Sequence, residues 1–375
     1  MSAKPGKVVV QSDAGAYLAW PGADQPGLAV DGLGCGLLVL KPLGLALPHY
    51  ADSNKFGYML SGTGLAGVLP LPLPPQPAGH DASEKVVRLA DGDLVAVRTG
   101  EVSWWYNDGE DDDADMSIVF MADTAGAVSR GDVSYFFLAG GNSVLRGLDP
   151  GAWAGVTEEQ AAAAFRSQPA VLLTKLGQKL LVCPRERDRE GLVVRVASGK
   201  ATAEELASLD GLGISAVVGR IEAGGAGRAP WVVRDGAAQA VYVARGSARV
   251  QVSSSGGGDT LAVDEVVSAG SLFVVPRFAV ACLVAAGAGR RRGVGVADQE
   301  RKAGGGAPDQ GGLGARRGDA GGRAGRAGRG ARAGRAARSG PKSRPPTPWI
   351  TKHDKSMMVH TTARRAARLL SVMPL

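Results

Sequence analysis

Two residues near the start of this chain could do chemistry, His49 and Lys55. His49 could act as a general base, but it follows Pro48 and has no carboxylate or nucleophile at a recognisable spacing. Base catalysis needs such a partner, so a packed, hydrogen-bonded histidine is the expectation. Lys55 could form a Schiff base if desolvation lowered its pKa, and that role is not expected here. Residues 1–289 contain two histidines, His49 and His80, too few for a three-imidazole metal site. Gly32-Leu-Gly-Cys-Gly36 is followed by the apolar run 37–40, which reads as a strand. A phosphate loop opens a helix instead, so none is assigned. Trp104, Trp105 and Tyr106 could stack a ligand, but strand alternation predicts one tryptophan inside and the other outside. The acidic residues between Asp108 and Asp115 lack the alternating spacing of a calcium loop and read as a solvated hairpin tip.

The elements that must hold these residues are short strands. Segments 36–40, 56–60, 94–97 and 116–120 are apolar runs cut by Gly, Pro and Asp, a strand texture. The Pro-rich piece 69–79 reads as a loop, since proline cannot donate to a ladder. After Pro150 the texture changes: Thr157-Glu-Glu-Gln160 is a capping box, followed by an Ala-rich helix to Arg166 and an apolar segment over 170–176. Strand texture returns from Leu192 to Val284. The two β regions repeat each other. Gly62-Thr-Gly-Leu-Ala-Gly-Val68 matches Gly246-Ser-Ala-Arg-Val-Gln-Val252, and Gly92–Arg98 matches Gly270–Pro276, about 180 residues apart. Two copies of one β-barrel account for this economically.

The formal charge of +7 conceals an asymmetry, because 20 Lys and Arg face 5 Asp and Glu between Arg290 and Leu375. The rest is acidic, and the basic character belongs to the tail. The start of the chain lacks an apolar run long enough for a signal peptide, and no run approaches a membrane span. Three cysteines, Cys35, Cys183 and Cys282, form an odd set with no CxxC pair, read as free thiols in a reducing compartment. A cytoplasmic protein is the expectation.

The paired segments resemble the two motifs of the cupin superfamily: Gly, His-x-His, a Glu and a Gly in the first, and a Gly, Pro-x-Gly, His and Asn in the second. Gly44 to Gly62 and Gly92 to Asn107 hold these spacings. The stretches ALPHYADSNKFGYMLSGTGLAGVL, WWYN and FFLAGGNSVLRGLDP resemble plant legumin-type (11S) globulins, and the likeness runs from residue 7 to about 286. It implies an all-β fold of two cupin jelly-roll barrels: a first barrel over 1–150, a helical arm over 151–177 and a second barrel over 178–286. The resemblance puts His49 at the first metal-ligand position, with Ala51, Lys55 and Ser103 at the others. In the second barrel the matching positions are Trp231, Gln239 and Ala281. An ammonium repels a divalent ion, so no metal, cofactor or catalytic residue is assigned. The degenerate pocket His49, Lys55, Ser103 and Asn107 remains as a candidate ligand site.

The resemblance implies a non-enzymatic seed-storage (nutrient reservoir) role and trimers packed through the helical arms, provided the C-terminus is intact. Two departures are plain: the chain has no Asn-Gly processing junction, and Asn and Gln total 13 of 375. Residues 287–375 are Gly/Ala/Arg-rich, a composition of disordered segments, and an RNA-binding role through phosphate contacts is the alternative. Shifting the permitted codons for Val294–Ala303 by one base gives WVSLIKSAR, which resembles the closing strand of legumin-type globulins. The tail is therefore read as out-of-frame translation that leaves the second barrel short of its last strands. A nucleic-acid partner is expected only if the tail is genuine. Small-ligand binding in the first barrel is the other alternative.

Overall fold

The computed structural model describes residues 2–70, 83–110, 114–149, 155–165, 172–196, 199–201, 212–222, 228–232, 238–253, 261–285 and 355–363. Residues 71–79 of the expected loop and most of the expected tail lie outside them, while Leu69, expected in that loop, ends a strand instead.

The chain opens with β1 (Lys4–Pro5), β2 (Lys7–Ser12), β3 (Gly15–Ala19), the short helix α1 (Pro26–Asp31) and β4 (Leu33–Leu40). Next come β5 (Gly44–Ala51), β6 (Asn54–Ser61), β7 (Thr63–Leu69) and β8 (Lys85–Ala90). The first barrel is completed by β9 (Asp93–Val97), β10 (Val102–Tyr106), β11 (Met116–Asp123) and β12 (Tyr135–Phe137). Helix α2 (Glu158–Phe165) follows, then β13 (Leu173–Lys175), β14 (Val193–Arg195), β15 (Gly199–Ala201), β16 (Ile214–Glu222) and β17 (Arg228–Val232). The second barrel continues with β18 (Gln239–Arg245), β19 (Ser247–Ser253), β20 (Leu261–Ser268), β21 (Ser271–Val275), β22 (Val280–Ala285) and β23 (Lys355–Ala363). No helix among the described residues is long and apolar enough to cross a membrane.

Each barrel is a sandwich of two antiparallel sheets, and the two barrels share one strand plan. The order β9-β6-β11-β4 in the first recurs as β21-β18-β23-β16 in the second, and β5-β10-β7-β8 recurs as β17-β22-β19-β20. The internal repeat read from the sequence is therefore a repeat of topology. In this plan β23 occupies the place of β11. It lies between β16 and β18, with Val218 opposite Val359 and Val241 opposite His360. The slot for a closing strand is thus filled by residues from far along the chain, inside the segment expected to be a tail. An edge strand with unpaired N–H and C=O groups on a buried sheet takes whatever extended segment can reach it.

The barrels also exchange edges. β1 pairs with β21 of the second barrel, while β14 pairs with β9 of the first. β13, within the apolar segment after the arm, pairs with β5. A cluster including Phe56, Tyr58, Val119 and Met121 of the first barrel with Ala216, Ala240, Tyr242 and Val274 of the second is buried between them. Separate clusters fill each interior, one around Met59, Val97 and Trp105 and one around Val241, Val250 and Phe273. Full burial of side chains this size is worth about 1.5–3 kcal/mol each, so both faces of the shared sheets are stabilised.

The arm helix begins as its capping box predicts. The Gln160 N–H donates to Thr157 Oγ1 at 3.2 Å and the Thr157 N–H donates to Gln160 Oε1 at 2.9 Å, which satisfies two otherwise orphaned groups. Its acidic first turn, Glu158 and Glu159, complements the positive end of the helix dipole.

Candidate barrel pocket

Strand alternation decides which side chains enter the first barrel. Along β6, Lys55, Gly57 and Met59 share one face while Phe56 and Tyr58 share the other. Met59 lies in the barrel interior and Phe56 and Tyr58 lie between the barrels, so Lys55 points inward. β10 splits its two tryptophans in the same way. Trp105 fills the interior, whereas Trp104 packs outside with Leu65, Val86 and Tyr106. His49 stands on β5 directly opposite Ser103 on β10. The equivalent pair in the second barrel is Trp231 opposite Ala281. Lys55 pairs with Val97 and Ala122, and Gln239 pairs with Val275 and Thr362. Register thus matches the positions of the two motifs, residue for residue.

His49 and Lys55 border a cavity of about 370 Å³ walled largely by rings, among them Tyr17, Trp105, Phe120, Tyr135 and Phe137. Tyr135 and Phe137 reach it because β12 pairs with β5, with Phe137 opposite His49. The Tyr17 and Tyr135 hydroxyls are hydrogen-bonded at 2.8 Å, and their rings meet edge to face. Lys55 is 1% exposed. Its ammonium lies 4.6 Å from the Tyr135 ring centre and 5.6 Å from that of Phe120. Among the described residues no hydrogen bond or ion pair reaches it. Burial lowers the Lys55 pKa to about 7, against a smaller opposing pull from Asp52. Burial, then the Lys55 charge, lowers His49 to about 3 despite its bond to the Leu47 carbonyl. A carbonyl accepts only, so the neutral imidazole donates from Nδ1, at 2.8 Å.

These groups do not make a catalytic set. An imidazole held neutral so far below neutrality is a poor base. The Ser103 hydroxyl is buried without a hydrogen-bond partner, so His49 does not activate it. A metal does not fit either. The ligand positions implied by the family pattern offer one imidazole, a methyl, an ammonium and a hydroxyl. Among the described residues no three His, Cys, Asp or Glu side chains cluster closely enough to hold an ion.

Of the four residues named from the sequence, His49 and Lys55 line the cavity. Ser103 lies beside His49 in the ladder, outside the lining. Asn107 does other work: its Nδ2 donates to the carbonyls of Leu40 at 2.9 Å and Ala114 at 3.2 Å, and its Oδ1 accepts the Gly109 N–H at 3.0 Å. It staples the β10–β11 connection. Sequence reasoning missed the ring walls from β3 and β12. The alternating aromatics Tyr135 and Phe137 were a usable signal, but nothing local marks Tyr17. In the second barrel, Gln239 accepts a hydrogen bond from Trp231 Nε1 at 2.7 Å, so the positions matching Lys55 and His49 satisfy each other.

Comparison with known proteins agrees with this geometry. The family model described as Cupin matches residues 2–152 and 195–302, more than half of the chain. Glutelin type-A 3 of Oryza sativa subsp. japonica is 27% identical over 201 residues, covering 46% of this chain and 38% of the relative. The 11S globulin seed storage protein 1 of Carya illinoinensis is 27% identical over 148 residues, covering 35% of this chain and 28% of the relative. The aligned part is thus well under half the length of either. The crystal structure of procruciferin, an 11S globulin from Brassica napus, superposes with a TM-score of 0.68 at 18% identity, covering 97% of this chain and 84% of that one. With two barrels of one strand plan and a family match in each, the chain belongs to the cupin family, as a legumin-like protein of two barrels.

Proposed function

We propose that this protein is a non-enzymatic storage cupin, a nutrient reservoir of the 11S globulin type. The observation that carries the reading is the interior of the first barrel. Where a cupin enzyme gathers metal ligands, this chain has Lys55 buried among rings and a histidine tied to its own backbone. Its similarity to named seed storage proteins supports the same reading. With Asn and Gln totalling 13 of 375 residues, the reserve would be general amino acids rather than amide nitrogen. Immunoblots across seed filling and germination test this. Accumulation to a major seed protein followed by loss on germination is expected; trace, constant levels would reject it.

The reading includes self-association into trimers through the arm that carries α2. Support comes from the arm's capped helix, whose buried residue among those described is Ala161. Sedimentation of the full chain should give three times 38.2 kDa, and a monomer at micromolar concentration would count against it. A cytosolic setting is part of the proposal, supported by the three free thiols, Cys35 among them buried. Fractionation of source tissue checks it.

A further inference from the structure

Storage gives no use to the group at the centre of the first barrel. Lys55 is 1% exposed and borders the cavity, yet no acceptor among the described residues meets its ammonium. The nearby carboxylates are engaged elsewhere. Asp52 accepts the N–H groups of Val128 and Ser134, each at 3.0 Å, and the Ser53 hydroxyl at 2.8 Å. Asp132, on the cavity wall, accepts the Gly22 N–H at 3.0 Å and the Ser129 hydroxyl at 3.2 Å. A buried charge without a partner is costly, and a ring face supplies only part of what an acceptor would. That cost disappears when the proton leaves. Burial holds the Lys55 pKa at about 7, so above neutrality the group is largely an amine with its lone pair available. Desolvation of this kind turns a lysine into a nucleophile, and it is a property of the folded barrel that residue spacing does not display.

The cavity sets what this amine can meet. At about 370 Å³ it is at the small end of ligand sites, which run from about 300 to 1,000 Å³. Leu38, Trp105, Phe120 and Phe137 are among its walls, so an uncharged, apolar reactant enters at least cost. The lining extends to Val9 on the edge strand β2, which is 59% exposed, and the cavity approaches solvent on that side. Trp105 Nε1, on the wall, is buried without an acceptor; an indole N–H can only donate, and a carbonyl oxygen is a suitable acceptor. The other nucleophile on the wall is Cys35, whose thiol is pushed up in pKa by burial. The thiolate is the reactive form of cysteine, so Lys55 has the advantage. We propose that the first barrel captures a small, saturated, apolar aldehyde, the Lys55 amine adding to its carbonyl carbon to form an imine. The nitrogen lone pair attacks the carbonyl carbon to give a carbinolamine. The former carbonyl oxygen then leaves as water with both nitrogen protons, and the C=N bond closes without any oxidant or reductant. The imine is neutral, so capture replaces a costly ammonium by an uncharged group, and walls that exclude water slow the hydrolysis that would reverse it. The second barrel has Gln239 at the matching position, already bonded to Trp231, so one capture per chain is expected. Capture is stoichiometric; the inference goes beyond the storage reading, and its failure would leave that reading intact.

Hexanal is the probe, added in equimolar amount to the full chain at pH 8 with cyanoborohydride present to trap the imine. One hexyl group per chain is expected by intact mass, mapped by peptide sequencing to Lys55. Exposed lysines such as Lys7 and Lys179 should be labelled at least about tenfold less, because ordinary lysines are almost wholly protonated at that pH. The ratio of Lys55 to exposed-lysine labelling should stay level below pH 7 and fall about tenfold per pH unit above it. Lys55 has by then lost its proton, while ordinary lysines, with pKa about 10.4, are still losing theirs. Around Lys55, His49 and Asp52 are shifted down and Tyr17, Tyr135 and Cys35 are shifted up; Asp132 is the other wall carboxylate. Lys55→Met should abolish the preferred adduct while keeping the near-ultraviolet dichroism of the parent. If that variant does not fold, the mapped label and its pH profile in the parent chain decide. Label spread over exposed lysines without preference, label on Cys35, a ratio unchanged by pH, or no adduct at all would overturn the proposal. So would hexanoate bound at one per chain, by calorimetry, while hexanal leaves Lys55 unlabelled, which would reassign the lysine to anion binding.

Discussion

Lys55 shows most clearly how this barrel departs from a cupin enzyme, and its cost can be measured. Its folded pKa of about 7 lies below the ordinary 10.5. Between those values the unfolded chain holds more protons than the folded one, so this group makes stability rise with pH from 7 to 10.5. Below pH 7 the full penalty remains. Lys55→Met should therefore stabilise the protein at pH 6, by as much as on the order of 5 kcal/mol. The gain should shrink as pH rises toward 10.5, as urea denaturation at pH 6, 8 and 10 would show. A gain independent of pH would mean that Lys55 is not the titrating group. His49 acts in the acid range: with a folded pKa of about 3 against 6.5, it withdraws stability as pH falls through that window. The sequence made His49 and Lys55 legible because motif spacing marks their positions. Asn107 carries the same kind of mark, yet its amide is engaged in the turn after β10. Spacing does not reveal which way a terminal amide is drawn. Tyr17 was illegible because its place in the wall depends on how β3 pairs with β4, a tertiary fact.

At the scale of elements, alternation was the readable signal, and it resolved the Trp104–Trp105 pair correctly. The outer face of that sheet is also tight. A Cβ added to Gly67 would lie 2.1 Å from the Trp104 ring, and Trp104 is backed by Leu65, Val86 and Tyr106. Gly67→Ala should cost about 1–3 kcal/mol by overpacking, measured as a lower urea midpoint with an unchanged slope. Loss of the capping box by Thr157→Ala should cost about 1 kcal/mol of local helix stability and appear as faster amide exchange at Gln160 and Ala161. Slow exchange there would show that packing, not the cap, holds the arm. Helix α1 went unread, although Pro26 opens it and Gly32 ends it at φ 68° in the left-handed region. Six residues are too few for a period of 3.6 to show. The exchanged edge strands β1, β13 and β14 are two or three residues each. Runs that short carry no pattern, and the sheets they extend determine them.

For the whole molecule, the strand plan was legible because it is written twice. Its closure was not. β11 closes the first barrel with Met116-Ser-Ile-Val-Phe-Met-Ala-Asp123, while β23 brings Lys355-Ser-Met-Met-Val-His-Thr-Thr-Ala363 to the matching slot. A histidine and two threonines there are a weaker apolar run than Ile118 to Met121. We propose that the shifted reading frame, WVSLIKSAR after residue 293, encodes the ending that suits this slot. A chain rebuilt with that ending should melt at a higher temperature than the present chain, since each added kcal/mol raises the midpoint, by about 2–4 °C in domains of about 150–250 residues and by less in larger ones. An equal or lower midpoint would favour the present reading frame. In the first barrel a buried lysine stands where the family pattern places a metal ligand. The full chain, stripped with chelator and then offered zinc, manganese or ferrous iron, should retain far less than one ion per chain after dialysis, by elemental analysis. Retention of one ion per chain, lost on His49→Ala, would contradict it.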